Sequence, residues 1–220
     1  MDILKILTLT LQIAAVGTLI NIPFALAISW LIVKKRVRGK FLIDILASLP
    51  LALPPVVLGY FLLLMLGKNG PIGSFLYTTF GIDIVFTWVA ASLATSLVSF
   101  PLMTRTMMIA MSQVDNRLEM SARMLGASQL KVALTITIPL AYRGIIAGII
   151  IGFIRAMSEF GATMIVAGNI PGKTQTIPLA IFQNIQIGDD ATALRLVAIA
   201  IGLAIITLLA HNWLLKRVKE

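Results

Sequence analysis

Two opposite charges, Arg155 and Glu159, stand four residues apart in an otherwise apolar stretch of the sequence. At about 100° per residue, both share a helical face with Gly144, Gly148 and Gly152, whose four-residue spacing lets another helix approach closely. An unpaired charge at the bilayer centre costs at least ~2.5–3.5 kcal/mol, so we expect the two to pair inside the protein. Two interpretations stay open: a self-neutralised pair that joins helices, or a pair beside a substrate path in which Arg155 helps to attract an anion.

Prolines interrupt two of the apolar runs. The stretch Leu49-Pro-Leu-Ala-Leu-Pro-Pro55 holds three prolines, and Pro101 interrupts the next run. Proline removes an amide donor and clashes with the preceding turn. Backbone N–H and C=O groups without a hydrogen-bond partner are tolerated at membrane depth only where they are buried in protein or line a water-filled cavity. Pro54, Pro55 and Pro101 therefore predict either structural kinks between packed helices or bent helices that line a conduit and move during gating.

The sequence lacks the residue sets that catalysis or metal binding would need. It has no cysteine and a single histidine, His211, so neither a thiolate site nor a histidine cluster can form. It also offers no Ser/His/Asp set and no carboxylate–histidine cluster. We therefore expect no catalytic residue, no metal site and no cofactor bound by this chain, and we do not expect an enzyme.

The elements that must position these residues are membrane helices. Of the 220 residues, 59% are hydrophobic and 12% are charged, and the mean hydropathy is +0.98. Soluble domains are nearer half apolar and a quarter charged. A helix needs ~20 apolar residues to cross a hydrocarbon core of ~30 Å. The sequence thus predicts an all-α integral membrane protein with five spans, at about 9–33, 41–66, 85–108, 144–167 and 196–215.

The distribution of charge predicts the orientation of these spans. Positive residues mark the cytoplasmic side, and they cluster after the first span, between the third and fourth, and after the fifth. The N-terminus is therefore expected outside and the C-terminus inside, and the net charge of +9 needs no nucleic acid to explain it. We predict a single transmembrane domain over 1–220, so any energy source must be another polypeptide. The charges that set the orientation are Lys34, Lys35, Arg36, Arg38, Lys40, Arg105, Arg117, Arg123, Lys131, Arg143, Lys216, Arg217 and Lys219.

The longest cytoplasmic stretch holds an amphipathic segment at about 116–139. Charges there are mixed with Leu118, Leu125 and Leu130, and Gly126 lies near the middle. This pattern predicts two short helices that meet at the glycine and lie along the membrane surface. Such a segment is either an interfacial connector or a docking site for another protein.

The segment resembles the E-A-A-x3-G-x9-I-x-L-P signature of the permease subunits of ABC importers. In that family it forms a coupling helix that seats in a cleft of the cytoplasmic ATPase subunit. Here Met120 replaces the glutamate, Ser121 an alanine and Ile138 a leucine, while Glu119 stands one residue earlier. The contact made by the family's glutamate therefore falls either to Glu119 or to no carboxylate. The resemblance assigns coupling to Glu119, Met120, Ser121, Ala122, Gly126, Ala127, Ile136 and Pro139.

Other stretches resemble the molybdate-type permeases of this family. They are Arg155-Ala-Met-Ser-Glu-Phe-Gly-Ala-Thr163, the stretch from Ala167 to Ile181, and Leu53-Pro-Pro-Val-Val-Leu-Gly-Tyr60. Sulfate and thiosulfate permeases share a looser form of the Glu-Phe-Gly and Gly-Asn-Ile-Pro elements. The resemblance implies the type I importer permease fold, in which we expect spans two to four to line the path. The candidate residues for translocation or gating are Pro54, Pro55, Pro101, Arg155, Glu159 and Gly161.

The resemblance also implies partners and a location. Two copies of the chain would form the membrane core as a homodimer, above two cytoplasmic ABC ATPase subunits that carry ATP and magnesium. A periplasmic or lipid-anchored protein would deliver an oxyanion, and the bilayer would be a bacterial or archaeal cytoplasmic membrane. The expected cargo is molybdate, with tungstate and sulfate or thiosulfate as alternatives. A secondary transporter or channel without an ATPase is a more remote alternative; it predicts inverted repeats, which five unequal spans do not show.

Overall fold

The computed structural model describes residues 2–35 and 38–216, without the side chains of residues 214–216. Three charges used to predict the orientation, Arg36, Arg217 and Lys219, lie outside the described residues. The regular elements of the described residues are all helical, as predicted. They are α1 (Ile3–Lys34), α2 (Lys40–Ala52), α3 (Pro55–Leu66), α4 (Pro71–Phe80), α5 (Trp88–Ser112), α6 (Asn116–Met124), α7 (Gln129–Val132), a π-helical turn (Ala133–Thr137), α8 (Ile138–Met157), α9 (Gly161–Ala167), α10 (Ile177–Gln186) and α11 (Asp190–Lys216).

Five helical stretches among the described residues are long and apolar enough to cross a membrane, which confirms the predicted number. The first, third and last of them overlap the predicted spans closely. The last begins at Asp190 because the Asp189 carboxylate accepts a hydrogen bond from the Thr192 amide at 3.0 Å and so caps the helix. Hydrogen bonds from the Thr192 side chain and backbone lower the pKa of Asp189. The five stretches are Ile3–Lys34, Pro55–Phe80, Trp88–Ser112, Gln129–Met157 and Asp190–Trp213.

The predicted span at about 41–66 is two helices and not one, and the break lies at the prolines that predicted a kink or bend. The chain is divided there into α2 and α3, because Leu53 and Pro54 have extended backbone, with ψ of 142° and 136°. Proline disfavours the helical conformation in the residue before it, and two consecutive prolines do so twice. A tight turn then leads into α4. In this turn, directly before α4, a Cβ on Gly70 would lie only 2.1 Å from the Leu64 carbonyl oxygen. The helix α4 occupies a region for which the sequence predicted only an external loop.

The helix that contains the fourth predicted span, about 144–167, begins well before that span. A helical stretch runs from Gln129 through the π-helical turn to Met157, so its first part lies in the predicted cytoplasmic segment. The π-helical turn directly precedes Ile138 and Pro139. A proline ring inside an α-helix clashes with the carbonyl four residues earlier. The wider π-turn accommodates that ring, so the helix continues past the proline instead of ending there.

The same predicted span is also interrupted near its outer end. The helix α8 stops at Met157, and α9 begins at Gly161. Between them, the Glu159 carboxylate accepts a hydrogen bond from the Ala162 amide at 2.8 Å, which satisfies one of the free donors at the start of α9. Hydropathy predicted one continuous helix here. The structure instead has two helices, the second of which is capped by the Glu159 carboxylate.

The helix α5 is the centre of the bundle, since it packs against both α1 and α8. Close approach of α8 depends on the glycine series. A Cβ on Gly144 would lie 2.2 Å from the Ala110 Cβ, and one on Gly152 would lie 2.6 Å from the Met103 Cε. Gly148 also faces α5, where a Cβ would lie 3.1 Å from the Met103 carbonyl oxygen. The three glycines therefore lie at the α5–α8 contact, the role that their spacing predicts.

A buried polar seam joins α1 to the other side of α5. The Asn21 amide nitrogen donates to the Ser96 carbonyl oxygen at 2.9 Å and to the Ser99 hydroxyl at 3.1 Å. The Ser96 hydroxyl in turn donates to the Asn21 side-chain oxygen at 2.6 Å. Further along, the Ser29 hydroxyl donates to the Thr104 carbonyl oxygen at 3.0 Å. Interhelical hydrogen bonds of this kind help to hold membrane helices together, because the hydrophobic effect does not favour helix–helix contact over helix–lipid contact.

Candidate functional site

The cytoplasmic segment folds as two short helices around a glycine, as the sequence predicts. The helix α6 is capped by the Asp115 carboxylate, which accepts from the Arg117 amide at 2.8 Å. The helix α7 is capped by the Ser128 hydroxyl, which accepts from the Lys131 amide at 3.3 Å. Between them, Gly126 has a left-handed backbone with φ of +87°. Both helices therefore begin at a capping side chain, and the turn between them requires a residue that tolerates positive φ.

The spacing of alanine and glycine in this segment has a local physical cause. The Gly126 amide donates to the Arg123 carbonyl oxygen at 2.9 Å, and the Ala127 amide donates to the Ala122 carbonyl oxygen at 3.0 Å. These two bonds and the positive φ of the glycine form a Schellman motif, which commonly ends a helix at a glycine. Ala122, Gly126 and Ala127 thus fix the turn that ends α6.

An apolar surface faces away from the protein at this turn. The side chains of Met124 and Leu125 are 88% and 89% exposed, and Met120 is 57% exposed. Leu118 and Leu130 extend the same exposed set. We call these five residues the exposed apolar face. Its two most exposed members lie at the end of α6, directly before Gly126, and a Cβ added to that glycine would meet no other part of the chain within 4 Å. A second protein can therefore approach the turn closely.

The Glu119 carboxylate points into the protein and not toward this face. Its Oε1 atom lies 3.1 Å from the Lys34 Nζ atom and accepts a hydrogen bond from the Thr137 hydroxyl at 2.7 Å. The Glu119 side chain is only 6% exposed. Of the two alternatives for the contact made by the family's glutamate, this geometry favours no carboxylate, since burial and two internal partners occupy Glu119. At the glutamate position of the signature, Met120 presents an apolar side chain.

The remaining residues of the signature lie beside these helices. The Ser121 hydroxyl is exposed and donates to the Arg117 carbonyl oxygen at 3.0 Å, within α6. Ile136 lies in the π-helical turn and is half-buried, and Pro139 is exposed on the first turn of α8. The signature residues thus occupy α6, the glycine turn, the π-helical turn and the start of α8, all within or next to the segment expected in the cytoplasm.

Two of the candidate path residues, Pro55 and Gly161, meet where the two interruptions in the membrane helices lie, whereas Pro101 lies inside α5. A Cβ on Gly161 would lie 3.3 Å from the Pro55 Cβ, and one on Gly59 would lie 2.6 Å from the Ala162 carbonyl oxygen. The first turn of α9 therefore packs directly against α3, which begins at Pro54 and Pro55. Pro101 is buried within α5, two residues after the Ser99 hydroxyl of the polar seam.

The predicted ion pair lies beside this junction. The Arg155 Nη2 atom and the Glu159 Oε2 atom are 2.8 Å apart, and the other carboxylate oxygen accepts from the Ala162 amide. The Glu159 side chain is 2% exposed, whereas that of Arg155 is 27% exposed. Both carboxylate oxygens are thus engaged, which fits a self-neutralised pair between helices. The guanidinium keeps one exposed edge, which fits a position beside a path.

Sequence reasoning missed several residues that build this site. Lys34 was used only as an orientation signal, yet its side chain is buried and contacts the cytoplasmic segment. Asn21, Ser96 and Thr137 were not singled out, although all three make buried interhelical hydrogen bonds. The available signal was a polar residue inside an apolar run, which predicts an interior position in a membrane protein.

The fold is similar to that of chains in solved ABC transporter structures. The structure of the MetNI methionine ABC transporter, in an inward-facing conformation, superimposes with a TM-score of 0.77, covering 98% of this chain and 95% of the other at 14% identity. The chain belongs to the family described as binding-protein-dependent transport system inner membrane component, whose sequence profile matches residues 10–220. It is therefore a transport component with membrane-spanning helices.

Three relatives are similar over most of their length. The molybdenum transport system permease protein ModB of Haemophilus influenzae is 43% identical over 215 residues, covering 97% of this chain and 94% of the relative. ModB of Escherichia coli K12 is 45% identical over 213 residues, covering 96% and 93%. The sulfate transport system permease protein CysT of Salmonella typhimurium is 32% identical over 208 residues, covering 94% and 75%. The molybdenum relatives are thus more similar to this chain than the sulfate relative.

Proposed function

We propose that the chain is the membrane-spanning permease subunit of an ATP-driven importer for a tetrahedral oxyanion, with molybdate as the cargo. The observation that carries this proposal is the 43–45% identity to two molybdenum permeases over nearly the full length of both chains. The stretches at Arg155–Thr163 and Ala167–Ile181, which resemble molybdate-type permeases, include the ion pair and the α8–α9 interruption. The proposed location is the cytoplasmic membrane of a bacterium or archaeon.

The proposed energy source is a pair of cytoplasmic ATPase subunits that bind ATP and magnesium, while this chain binds neither. The exposed apolar face supports a docking role, since Met124 and Leu125 are almost fully exposed on a part of the chain expected in the cytoplasm. Exposed apolar residues grouped at a helix end are typical of protein–protein contacts. With the Glu119 carboxylate buried, we propose that docking depends on apolar contacts of Met120, Met124 and Leu125.

The proposed transport cycle is alternating access in a homodimer of this chain. ATP binding would draw the two ATPase subunits together, and the cytoplasmic segments would follow. The cycle shifts the population between inward- and outward-facing states to the extent that each ligand binds one state better. The junction of α3 and α9, at Pro55 and Gly161, is the proposed gating region, because both membrane helices are interrupted there. A periplasmic or lipid-anchored binding protein would deliver the anion to the outer side, and Arg155 would border its path.

A matched pair of glycine substitutions tests the docking role. Gly126 and Gly188 have similar positive φ, +87° and +77°, and a Cβ at either position would meet no other part of the chain within 4 Å. A leucine at either position therefore carries a similar backbone penalty of about 1–2 kcal/mol and causes no internal clash at its Cβ. Gly188 lies in the turn between α10 and α11, on the side expected to face outward.

The assay is co-purification of the ATPase subunit with the tagged chain, followed by ATP-dependent molybdate uptake in proteoliposomes that contain the binding protein. We expect Gly126→Leu to lose the ATPase subunit and uptake, and Gly188→Leu to retain both. Equal behaviour of the two variants would contradict a docking role for the turn.

A sulfate or thiosulfate importer is the second candidate function, favoured by the 32% identity to CysT; tungstate is a further alternative cargo. Competition separates them: excess unlabelled sulfate, thiosulfate or tungstate is added to the molybdate uptake assay with the binding protein present. Molybdate uptake that survives a hundredfold excess of sulfate supports the first candidate. Uptake of either anion without an ATPase subunit would instead favour a secondary transporter or channel.

A further inference from the structure

Lys34 ends α1 and is bound entirely by the start of the cytoplasmic segment. Its ammonium group donates to the Val114 carbonyl oxygen at 3.0 Å and to the Asn116 Oδ1 atom at 2.9 Å, and lies 3.1 Å from the Glu119 Oε1 atom. A lysine has three donor hydrogens, so these three acceptors saturate it. The Lys34 side chain is 4% exposed. The end of the first membrane helix is therefore fixed to the segment that begins α6.

Glu119 connects this contact to a third element. The same Oε1 atom accepts from the Thr137 hydroxyl at 2.7 Å, and Thr137 ends the π-helical turn that leads into α8. Thr137 is 1% exposed. One buried carboxylate thus holds together α1, α6 and the base of α8. We call Lys34, Glu119 and Thr137 the cytoplasmic node.

The node has a direct connection into the membrane. Above it, α1 is bonded to α5 through Ser29 and Thr104, and then through Asn21 and the two serines of the polar seam. A buried ion pair holds its geometry tightly, because separating the charges leaves each one desolvated without a partner. A displacement of α6 therefore moves the cytoplasmic end of α1, instead of being absorbed by a flexible loop.

We propose that Lys34 is a positioning residue for energy coupling: through its buried ion pair with Glu119, it transmits the movement of the cytoplasmic segment to α1. This inference rests on the proposed function, in which that segment docks an ATPase subunit. It differs from a docking role, because neither charge faces the exposed apolar face. The ion pair acts inside the permease, between the docked segment and the membrane helices.

The test uses the complete transporter, with its ATPase subunit and binding protein, in proteoliposomes. The main variant is the double substitution Lys34→Met/Glu119→Met, because replacing both members of a buried pair with apolar residues is often neutral for folding, whereas removing one leaves a buried charge. Lys34→Arg keeps the positive charge and serves as the conservative variant. Lys35→Met is the matched control, since Lys35 is the adjacent lysine and lies over the Trp30 ring, outside the node.

The readout is the amount of molybdate imported per ATP hydrolysed. We expect the double variant to keep its ATPase subunit but to lose about 5- to 150-fold in uptake per ATP, the range that typical coupling free energies between two sites produce. Lys34→Arg should retain most of the coupling, and Lys35→Met all of it. A merely structural role would instead lower the amount of folded protein and leave the molybdate imported per ATP unchanged. These results would therefore separate transmission from a structural role.

Two results would overturn the inference while leaving the proposed function intact. One is wild-type uptake per ATP in the double variant. The other is loss of the ATPase subunit from that variant, because the pair would then serve docking and not transmission. Failure of the wild-type complex to import molybdate with ATP would instead refute the proposed function itself.

Discussion

Removing the Glu159 carboxylate is a demanding test of the α8–α9 junction. This side chain, 2% exposed, has two separate partners: the Arg155 guanidinium at 2.8 Å and the Ala162 amide at 2.8 Å. Glu159→Ala removes both interactions. Glu159→Gln removes the negative charge but retains an amide oxygen that can accept from Ala162. The difference between the two variants therefore contains the capping hydrogen bond together with the packing of the buried side chain, which only Glu159→Ala removes.

The expected magnitudes follow from burial. Breaking a buried ion pair by removing one partner costs ~3–5 kcal/mol, and we place Glu159→Ala in that range. Glu159→Gln leaves Arg155 unpaired but partly exposed, so we expect about 1–3 kcal/mol, the value of a hydrogen bond to a charged group or somewhat less. For chains of this size, 1 kcal/mol shifts Tm by about 2–4 °C. Tm should therefore fall by about 6–20 °C for Glu159→Ala and by about 2–12 °C for Glu159→Gln.

The assay is thermal unfolding of the purified chain in detergent, followed by tryptophan fluorescence. A Tm of Glu159→Ala within about 2 °C of the wild type, the smallest shift expected for 1 kcal/mol, would refute the argument that this junction depends on the carboxylate. Equal shifts for the two variants would refute the capping part alone. The double variant Arg155→Met/Glu159→Gln distinguishes the two interpretations of the pair: recovered Tm with normal molybdate uptake indicates a structural pair, and recovered Tm with a raised KM for uptake places Arg155 beside the path.

Two further predictions concern helix packing. Gly144→Leu should lower Tm by about 2–12 °C, because a Cβ would lie 2.2 Å from the Ala110 Cβ and overpacking costs ~1–3 kcal/mol; Gly202→Leu, with nothing within 4 Å, is the matched control, and an equal loss in both would contradict the packing argument. Asn21→Leu should lower Tm by about 4–7 °C, since it removes three interhelical hydrogen bonds, including both bonds to Ser96, worth ~0.6 kcal/mol each in membrane proteins. An unchanged melting curve for Asn21→Leu would show that the polar seam contributes no stability.

The number of membrane helices could be predicted from the sequence, because it depends on apolar run length. Their continuity could be predicted only in part. Pro54 and Pro55 predicted a kink in the second span, but not its division into two helices at Leu53 and Pro54, because hydropathy averages over residues that are apolar or nearly so. The helix α4 has only 10 residues, too few to register as a span. The interruption before Gly161 depends on the Glu159 carboxylate, which caps α9. The same residues could instead continue α8, and tertiary structure decides between the two geometries.

The cytoplasmic segment was predictable in its local structure and not in the direction of its side chains. Gly126 and the capping residues act within one or two turns, so their spacing predicts the two helices and the turn. The position of Glu119 depends on Lys34, which is 85 residues earlier (119 − 34), and on Thr137. Lys34 lies outside the segment, and no spacing within it shows that Thr137 faces Glu119, so the inward orientation of the carboxylate required the three-dimensional structure.

We propose that this chain imports an oxyanion, with molybdate as cargo, only when an ATPase subunit drives it. The most direct test is molybdate uptake into proteoliposomes that contain the chain, its ATPase subunit and a molybdate-loaded binding protein. We predict uptake that requires ATP and magnesium, stops when the ATPase subunit is omitted, and persists in excess sulfate. Molybdate uptake of equal rate without the ATPase subunit, or ATP-driven uptake of sulfate with none of molybdate, would contradict it.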